Sequence, residues 1–467
     1  MVTVIDSAII VGYALSMVTV GGYFVRRQGR SETFFLADRT LSPFQVFGTT
    51  FSTFFGTGLV FTLASFGYRY GVGAFVLPGA AVIGFLLLAR AAPRIKEMSD
   101  RQGAVTLPAL LAQYWSDRTR ALAAVVTVGL FTATLAANFL AAGTVLYALV
   151  GLPLDVGIVV FSVLVITYTA LGGFQGVVWT DILQTGMILG SVVVVLPAFL
   201  FLAEGPALVD SLPASHLDPS SLPVRLLVAY LLVGVFAFFG SQDLFQRIYA
   251  ARGGEEARRG LVLFTGVLVL MGITAVGLGI AARAVVPDTT AGTALVALTD
   301  SVVPVGLVGI VLLGLLALAN SDADSQLLTS TSNVTHDLVS ALGVELPPER
   351  QVWLDRAGLL GIGTSALLVA VAEPSLTALF NAVGSWFAML GFVVVATMFW
   401  QRMTDTAAFA GLAVGFVLLI VFVLTTGNLQ AATVVGFVPT VLTVGILSIL
   451  PQLFVVIGPL PLFPRRF

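Results

Sequence analysis

The chain has no cysteine, a single lysine and two histidines, and only 10% of its 467 residues are charged. Without cysteine there are no disulfides, no thiolate nucleophile and no cysteine-ligated zinc. His216 and His336 are too few for a multi-histidine metal site. The scarcity of charge excludes more. A soluble domain carries about 25% charged residues, and this chain lacks the charge to cover a water-facing surface. With 58% hydrophobic residues and a mean hydropathy of +1.03, lipid must solvate most of it. A net charge of −2 without a basic stripe offers nothing to a nucleic-acid backbone. No soluble domain, linker or low-complexity tract stands out, and no feature calls for an obligatory protein partner.

Long apolar runs fill the chain. A spanning helix needs about 20 apolar residues, and candidate spans lie at 4–25, 42–67, 72–92, 119–150, 153–172, 176–203, 222–249, 258–283, 302–338, 352–372, 376–400, 407–425 and 431–457. The fold class is therefore an all-α polytopic membrane protein of about thirteen helices. Residues 106–116 read as a short interfacial helix. The stretch 302–338 is too long for one crossing, so its end from about 328 is expected to project into water. The run 4–25 lacks a basic leader, and Arg26, Arg27 and Arg30 follow it, so it reads as a first span and not a signal peptide.

All but three of the 22 basic residues (Arg69, Arg225 and Arg283) fall in loops on one side of this arrangement. The opposite side carries Glu204, Asp210, Asp218, Asp288 and Glu373. Positive loops stay in the cytoplasm, which places the N-terminus outside and the C-terminus inside. The expected location is the cell membrane, with lipid as the surrounding partner.

Charge within hydrocarbon is costly and marks function. Two places carry it. The first is Ala317-Leu-Ala-Asn-Ser-Asp-Ala-Asp-Ser-Gln-Leu-Leu328 in the ninth span. At helical spacing Ser321, Asp324 and Ser325 share a face that Ser332 and Thr335 continue, with Asp322 to one side. These hard oxygens suit alkali or alkaline-earth cations better than zinc or copper. The plainer reading is a polar helix end facing water near the inner boundary. The second place is Gly172-Gly-Phe-Gln-Gly-Val-Val-Trp-Thr-Asp-Ile-Leu-Gln184. Its paired glycines break one helix before another begins, with Asp181 and Gln184 one turn apart on the new one. Taken alone, Asp181 is also a helix-start acid favoured by the macrodipole.

Two further segments are glycine-interrupted: Phe47-Gly-Thr-Thr-Phe-Ser-Thr-Phe-Phe-Gly-Thr-Gly58 in the second span and Phe238-Phe-Gly-Ser-Gln-Asp-Leu-Phe-Gln-Arg247 in the seventh. Single glycines in spans usually serve close helix packing. Broken helices at matching positions of two halves instead mark a transporter's midplane site. No arginine or lysine is expected deep in the core spans. Candidate substrate contacts are Thr53, Thr57, Phe238 and Gln242.

The Gly172–Gln184 stretch resembles the signature of the sodium/solute symporter family, which includes the sodium/proline and sodium/glucose transporters. Asp324-Ser-Gln-Leu-Leu-Thr-Ser-Thr-Ser-Asn-Val-Thr-His-Asp337 is similar to that family's ion-site helix. Gln246-Arg-Ile-Tyr-Ala-Ala251 resembles the inner end of its seventh span, and Ala37-Asp-Arg-Thr-Leu-Ser42 its first inner loop. The resemblance runs in order from about residue 30 to 340. It implies a leucine-transporter (LeuT) fold of two inverted five-helix repeats, over 42–203 and 222–400. One extra helix (4–25) precedes them and two (407–457) follow.

By position, the resemblance implies a main sodium site of the Gly48, Phe51 and Leu318 carbonyls with the side chains of Ser321 and Asp322. A second sodium, held by some members, would involve Asp181, Ser321, Asp324 and Ser325. Asp322 departs from the Ser or Thr usual there, which leaves sodium and proton both open as coupling ion. The expected function is sodium-coupled symport of a small organic solute by alternating access. An amino acid such as proline, or another small organic ion, is favoured over a sugar. The alternatives are a proton-coupled symporter of the same fold and a magnesium-dependent membrane transferase using Asp322 and Asp324. The transferase lacks the second acidic cluster and the basic residues a diphosphate needs. A sensor built on this fold is disfavoured, because no soluble output domain is expected after Phe467.

Overall fold

A computed structural model describes residues 4–25, 31–202, 210–303, 308–344, 346–372, 376–426 and 435–457. Expectations for Arg26, Arg27, Arg30, Glu204, Glu373, Arg465 and Arg466 lie outside them. Among the described residues the regular elements are helices, and the only strand-type pairing is one bridge between Leu41 and Ala251. Six stretches there are long and apolar enough to cross a bilayer: Leu59–Gln102, Asp117–Val145, Leu154–Val192, Gly254–Val285, Pro348–Ala372 and Asp405–Thr426. Ile10–Phe24, Trp386–Phe399 and Phe437–Ile449 are shorter apolar helices.

In chain order the longer helices are α1 (Val4–Phe24), α2 (Pro43–Phe54), α3 (Thr57–Tyr70), α4 (Leu77–Gln102), α5 (Asp117–Val145), α6 (Leu154–Leu202), α7 (Val224–Gly240), α8 (Gln242–Ala250), α9 (Gly254–Val285) and α10 (Ala294–Val302). There follow α11 (Val308–Ser332), α12 (Pro348–Ala372), α13 (Leu376–Phe399), α14 (Asp405–Thr426) and α15 (Phe437–Ile457).

The sequence explains how α2 begins and ends. Ser42 accepts a hydrogen bond from the Gln45 amide (3.4 Å), Gln45 Oε1 accepts from the Ser42 amide (2.9 Å), and Pro43 occupies the first turn. This reciprocal cap satisfies amides that a helix start leaves open. The helix stops where Phe55 leaves helical geometry (φ −86°, ψ 39°), and α3 restarts after Gly56. The expected second span is thus two helices meeting at Phe55–Gly56. The seventh is likewise α7 and α8, separated at Ser241 (φ −86°, ψ 94°).

The fifth and sixth spans are two helical stretches within α6, joined across a kink at Gly173, whose φ of 53° and ψ of −161° only glycine adopts readily. The break expected at the paired glycines lies there, and helix resumes without an intervening loop. The expected interfacial helix at 106–116 is a single turn, Leu107–Leu110, followed by turns. The end of the ninth span from residue 328 does not project into water either. Residues 328–333, Thr335 and Asp337 are buried, because the segments around Ser31 and Arg120 close over them.

α11 lies at the centre, packed on α6, α5, α12 and α2, while α1 covers the outside of α6. α7 and α13 approach backbone to backbone. A Cβ at Gly240 would lie 2.1 Å from Phe387 O, and one at Gly391 1.8 Å from Phe236 O. Small residues at such a crossing let apolar helices pack where lipid supplies no hydrophobic drive.

Candidate ion and solute site

The bend at Gly173 aims the second half of α6 at the junction of α2 and α11. Asp181 sits well past the bend, so it is not a first-turn acid. Its side chain is fully buried and joins three helices. Thr49 on α2 donates to Oδ2 and Ser321 on α11 donates to Oδ1. Thr53 lies 3.2 Å from Ser321 Oγ and 3.3 Å from Ser325 Oγ. The hydroxyl-rich face of α2 therefore meets the Ser-Asp-Ala-Asp-Ser run, and the two broken or polar segments that the sequence singles out form one buried oxygen cluster.

The proposed main-site residues divide between backbone and side chain. The Gly48 carbonyl accepts Thr185 Oγ1 (2.9 Å) and Ser52 Oγ (3.1 Å), and the Phe51 carbonyl accepts the Phe55 amide (2.9 Å). Both lie in the last turns of α2, short of the break itself. Leu318 and Ser321 are buried on α11. Asp322 is 7% exposed, and its carboxylate lies against Gly56, where a Cβ would come within 2.2–2.4 Å of it. This acid therefore stands at the break, beside the start of α3, where a helix N-terminus favours negative charge.

Asp324 turns the other way. Tyr168 donates to its Oδ2 and Ser325 to its Oδ1 at 3.3 Å. Gln184 serves a different neighbour from Asp181: its amide donates to Tyr13 Oη (3.1 Å), which ties α1 to the back of the cluster.

The largest departure from expectation is Arg247. The sequence placed it among inner-loop cations and left the core spans without a base. In the structure it is fully buried on α8. Its NH2 donates to Thr53 Oγ1, to Ser325 Oγ at 2.7 Å and to Asp181 Oδ2 at 3.4 Å, and its NH1 donates to the Asp243 carbonyl at 3.0 Å. The guanidinium carbon lies 5.8 Å from the ring centre of Phe174. The helix break at Ser241 is the signal that could have found it, since it turns α8 inward beneath α11. Tyr13, Thr49 and Tyr168 were also missed, being residue types that sequence cannot distinguish from ordinary packing.

The proposed solute contacts lie in different surroundings. Thr53 belongs to the ion cluster. Phe238 packs on Phe85 (ring centres 4.2 Å apart) and Phe54 (6.3 Å) beside the break. Gln242 links Ser332 Oγ (3.1 Å) to the Leu107 amide (3.2 Å). Thr57 opens α3, and its side chain lies outside the described atoms.

The side expected to face inward is latched. Leu41 and Ala250–Arg252 exchange backbone hydrogen bonds at 2.9 Å, and Gln246 donates to the Phe35 carbonyl at 2.7 Å. Lys96, 3% exposed, donates to Tyr249 O (3.0 Å) and Asp100 (2.6 Å). Arg39 joins Glu32, Ser99, Asp100 and Ala104.

The sodium:solute symporter family model matches residues 34–415. The chain belongs to the sodium:solute symporter family. The match covers α2 to the first half of α14, so the oxygen cluster, both breaks and the latch fall within this symporter's family region. The symporter is 24% identical to the High-affinity proline transporter PutP of Bacillus subtilis, over 93% of this chain and 96% of that one. It is 25% identical to the sodium/pantothenate symporter of Escherichia coli, over 92% of each. Its fold matches a sodium-coupled sialic acid symporter solved in a substrate-bound, outward-open state, with a TM-score of 0.79, 20% identity and coverage of 96% and 98%. The protein is a transporter and not an enzyme, it is a multi-pass membrane protein, and sodium is its coupling ion.

Proposed function

We propose that sodium binds where α2 meets α11, at the carbonyls of Gly48, Phe51 and Leu318 and the side chains of Ser321 and Asp322. The observation that carries this is the shared carboxylate of Asp181, which accepts from both Thr49 and Ser321. It fixes the two helices in register, so an ion drawing on oxygens from both would stabilise one arrangement of them over another. A coupling ion works only through such a difference in affinity between states. The latched inner side supports an inward-closed state, loaded from outside. Release of the latch then opens the site inward. The thirteen-helix count, N-terminus outside and C-terminus inside, the inverted repeats over 42–203 and 222–400 with flanking helices at 4–25 and 407–457, and location in the cell membrane complete this reading.

The proposed solute is a small organic ion, with an amino-acid zwitterion such as proline favoured. Acids stand at both helix breaks: Asp322 beside Gly56, and Asp243, buried at the start of α8. They favour a solute carrying an amine. Arg247 is engaged by Asp181, Thr53 and Ser325 and does not offer itself as a carboxylate clamp. The aromatic wall of Phe54, Phe85 and Phe238 supplies apolar contact beside the break. The named relatives carry proline and pantothenate, which keeps both an amino acid and a vitamin in the test. Purified protein in liposomes, given labelled proline, pantothenate, a sugar and a monocarboxylate under an imposed sodium or proton gradient, decides it. Sodium-driven accumulation of proline is expected. Accumulation driven by the proton gradient alone would overturn the ion, and sodium-driven uptake of the sugar alone would overturn the solute class.

A further inference from the structure

The resemblance allots Asp181, Ser321, Asp324 and Ser325 to a second sodium, yet in the structure their oxygens are taken up by one another, by neighbouring hydroxyls and by an arginine. Arg247 NH2 reaches Ser325 Oγ at 2.7 Å and Asp181 Oδ2 at 3.4 Å, and also contacts Thr53. Asp181 has no exposed surface and neither has Arg247. The two carboxylates take further donors from the same cluster. Ser321 and Thr49 donate to Asp181, and Tyr168 and Ser325 donate to Asp324.

We propose that the guanidinium of Arg247 is a built-in cation that replaces the second sodium, so that this symporter binds a single sodium, at the junction of α2 and α11. The inference rests on the sodium symport reading above and narrows its stoichiometry.

Three physical points carry it. A carboxylate withdrawn from water needs a counter-charge and hydrogen bonds, and breaking such a pair leaves an uncompensated buried ion. Arginine supplies that charge permanently, because it does not deprotonate in proteins. Two unit positive charges about 4 Å apart at an effective dielectric of about 20 repel strongly enough to weaken the second by roughly a thousandfold. A sodium seeking Asp181 and Ser325 would meet that repulsion and find its oxygens engaged. Because α8 carries the tethered cation, this charge also travels with the protein and never with the solute.

The test counts bound ions on the full-length purified protein, using radioactive sodium alone as the probe. Wild-type protein is expected to bind one sodium, with a hyperbolic isotherm. Arg247→Gln vacates the place and is expected to bind two. Arg247→Gln combined with Asp181→Asn removes both charges and should return the count to one, and Arg247→Lys should stay at one. A wild-type count of two overturns the proposal whether or not any variant folds. So does a folded Arg247→Gln protein that still binds one. No sodium bound by the wild type would overturn both this inference and the symport reading beneath it. One ion in the wild type with sodium-independent uptake would strike the symport reading alone.

Discussion

Ser321 donates its hydroxyl hydrogen to Asp181, a residue 140 positions earlier in the chain and on a different helix. Asp181 is held on its other oxygen by Thr49 and pairs with Arg247. One carboxylate thus organises α2, α6, α8 and α11. Replacing Asp181 by Asn removes the carboxylate that Arg247 pairs with directly. Loss of one partner of a buried pair costs about 3–5 kcal/mol, so Asp181→Asn should unfold at markedly lower temperature in detergent. The double change with Arg247→Gln should recover much of that loss. Equal melting temperatures for wild type and Asp181→Asn would show that the pair is not structural.

Asp322 is the acid at the first helix break. Asp322→Ser should keep sodium-dependent uptake while changing the half-saturating sodium concentration, because a neutral oxygen replaces a charged one in the proposed site. Sodium titration of uptake at fixed pH measures this. Proton-driven uptake in the parent, lost together with all coupling in the variant, would identify Asp322 as a proton carrier.

The α7–α13 crossing has no room for a side chain. A Cβ at Gly391 would meet Phe236 O at 1.8 Å, whereas one at Gly277 would meet nothing within 4 Å. Overpacking costs about 1–3 kcal/mol. Gly391→Ala should therefore lower thermal stability and Gly277→Ala should not. A comparable drop in both would mean that helix propensity and not close approach is being measured.

Arg39 draws Glu32, Ser99, Asp100 and Ala104 together on the face proposed to lie inside. Arg39→Gln should loosen the latch and favour the inward-open state. Loss of about 1 kcal/mol of partly exposed ion pairing shifts a two-state population roughly fivefold. The chain has no cysteine, so one cysteine introduced at Ser332 is a clean reporter. Its labelling by an impermeant maleimide from the inner side should speed up in the Arg39→Gln background. Unchanged labelling would separate Arg39 from the gate.

How much of this was legible in the sequence depended on the kind of signal. Apolar runs marked where the helices lie, and the acids at 181, 322 and 324 stood out because hydrocarbon penalises them. Glycine interruptions marked the segments that hold both breaks, the first at Phe55–Gly56 and the second at Ser241. Arg247 was illegible for a physical reason. It lies close in sequence to Arg252, Arg258 and Arg259, and only the turn of α8 at Ser241 carries it inward. The break at Gly173 was legible in the paired glycines, because only glycine readily adopts the backbone geometry found there. Tyr13, Thr49 and Tyr168 acquire their roles only from the packing of α1, α2 and α6.

The most direct measurement is sodium affinity with and without the Ser321 hydroxyl. Equilibrium binding of radioactive sodium to purified wild type and Ser321→Ala, checked for equal folding, isolates the proposed α2–α11 junction from transport kinetics. A hydrogen-bonding or liganding contact to a charged group is worth about 1.5–3 kcal/mol, so affinity should fall roughly ten- to a hundredfold. Equal affinity in the two proteins would place the coupling ion elsewhere and contradict the account.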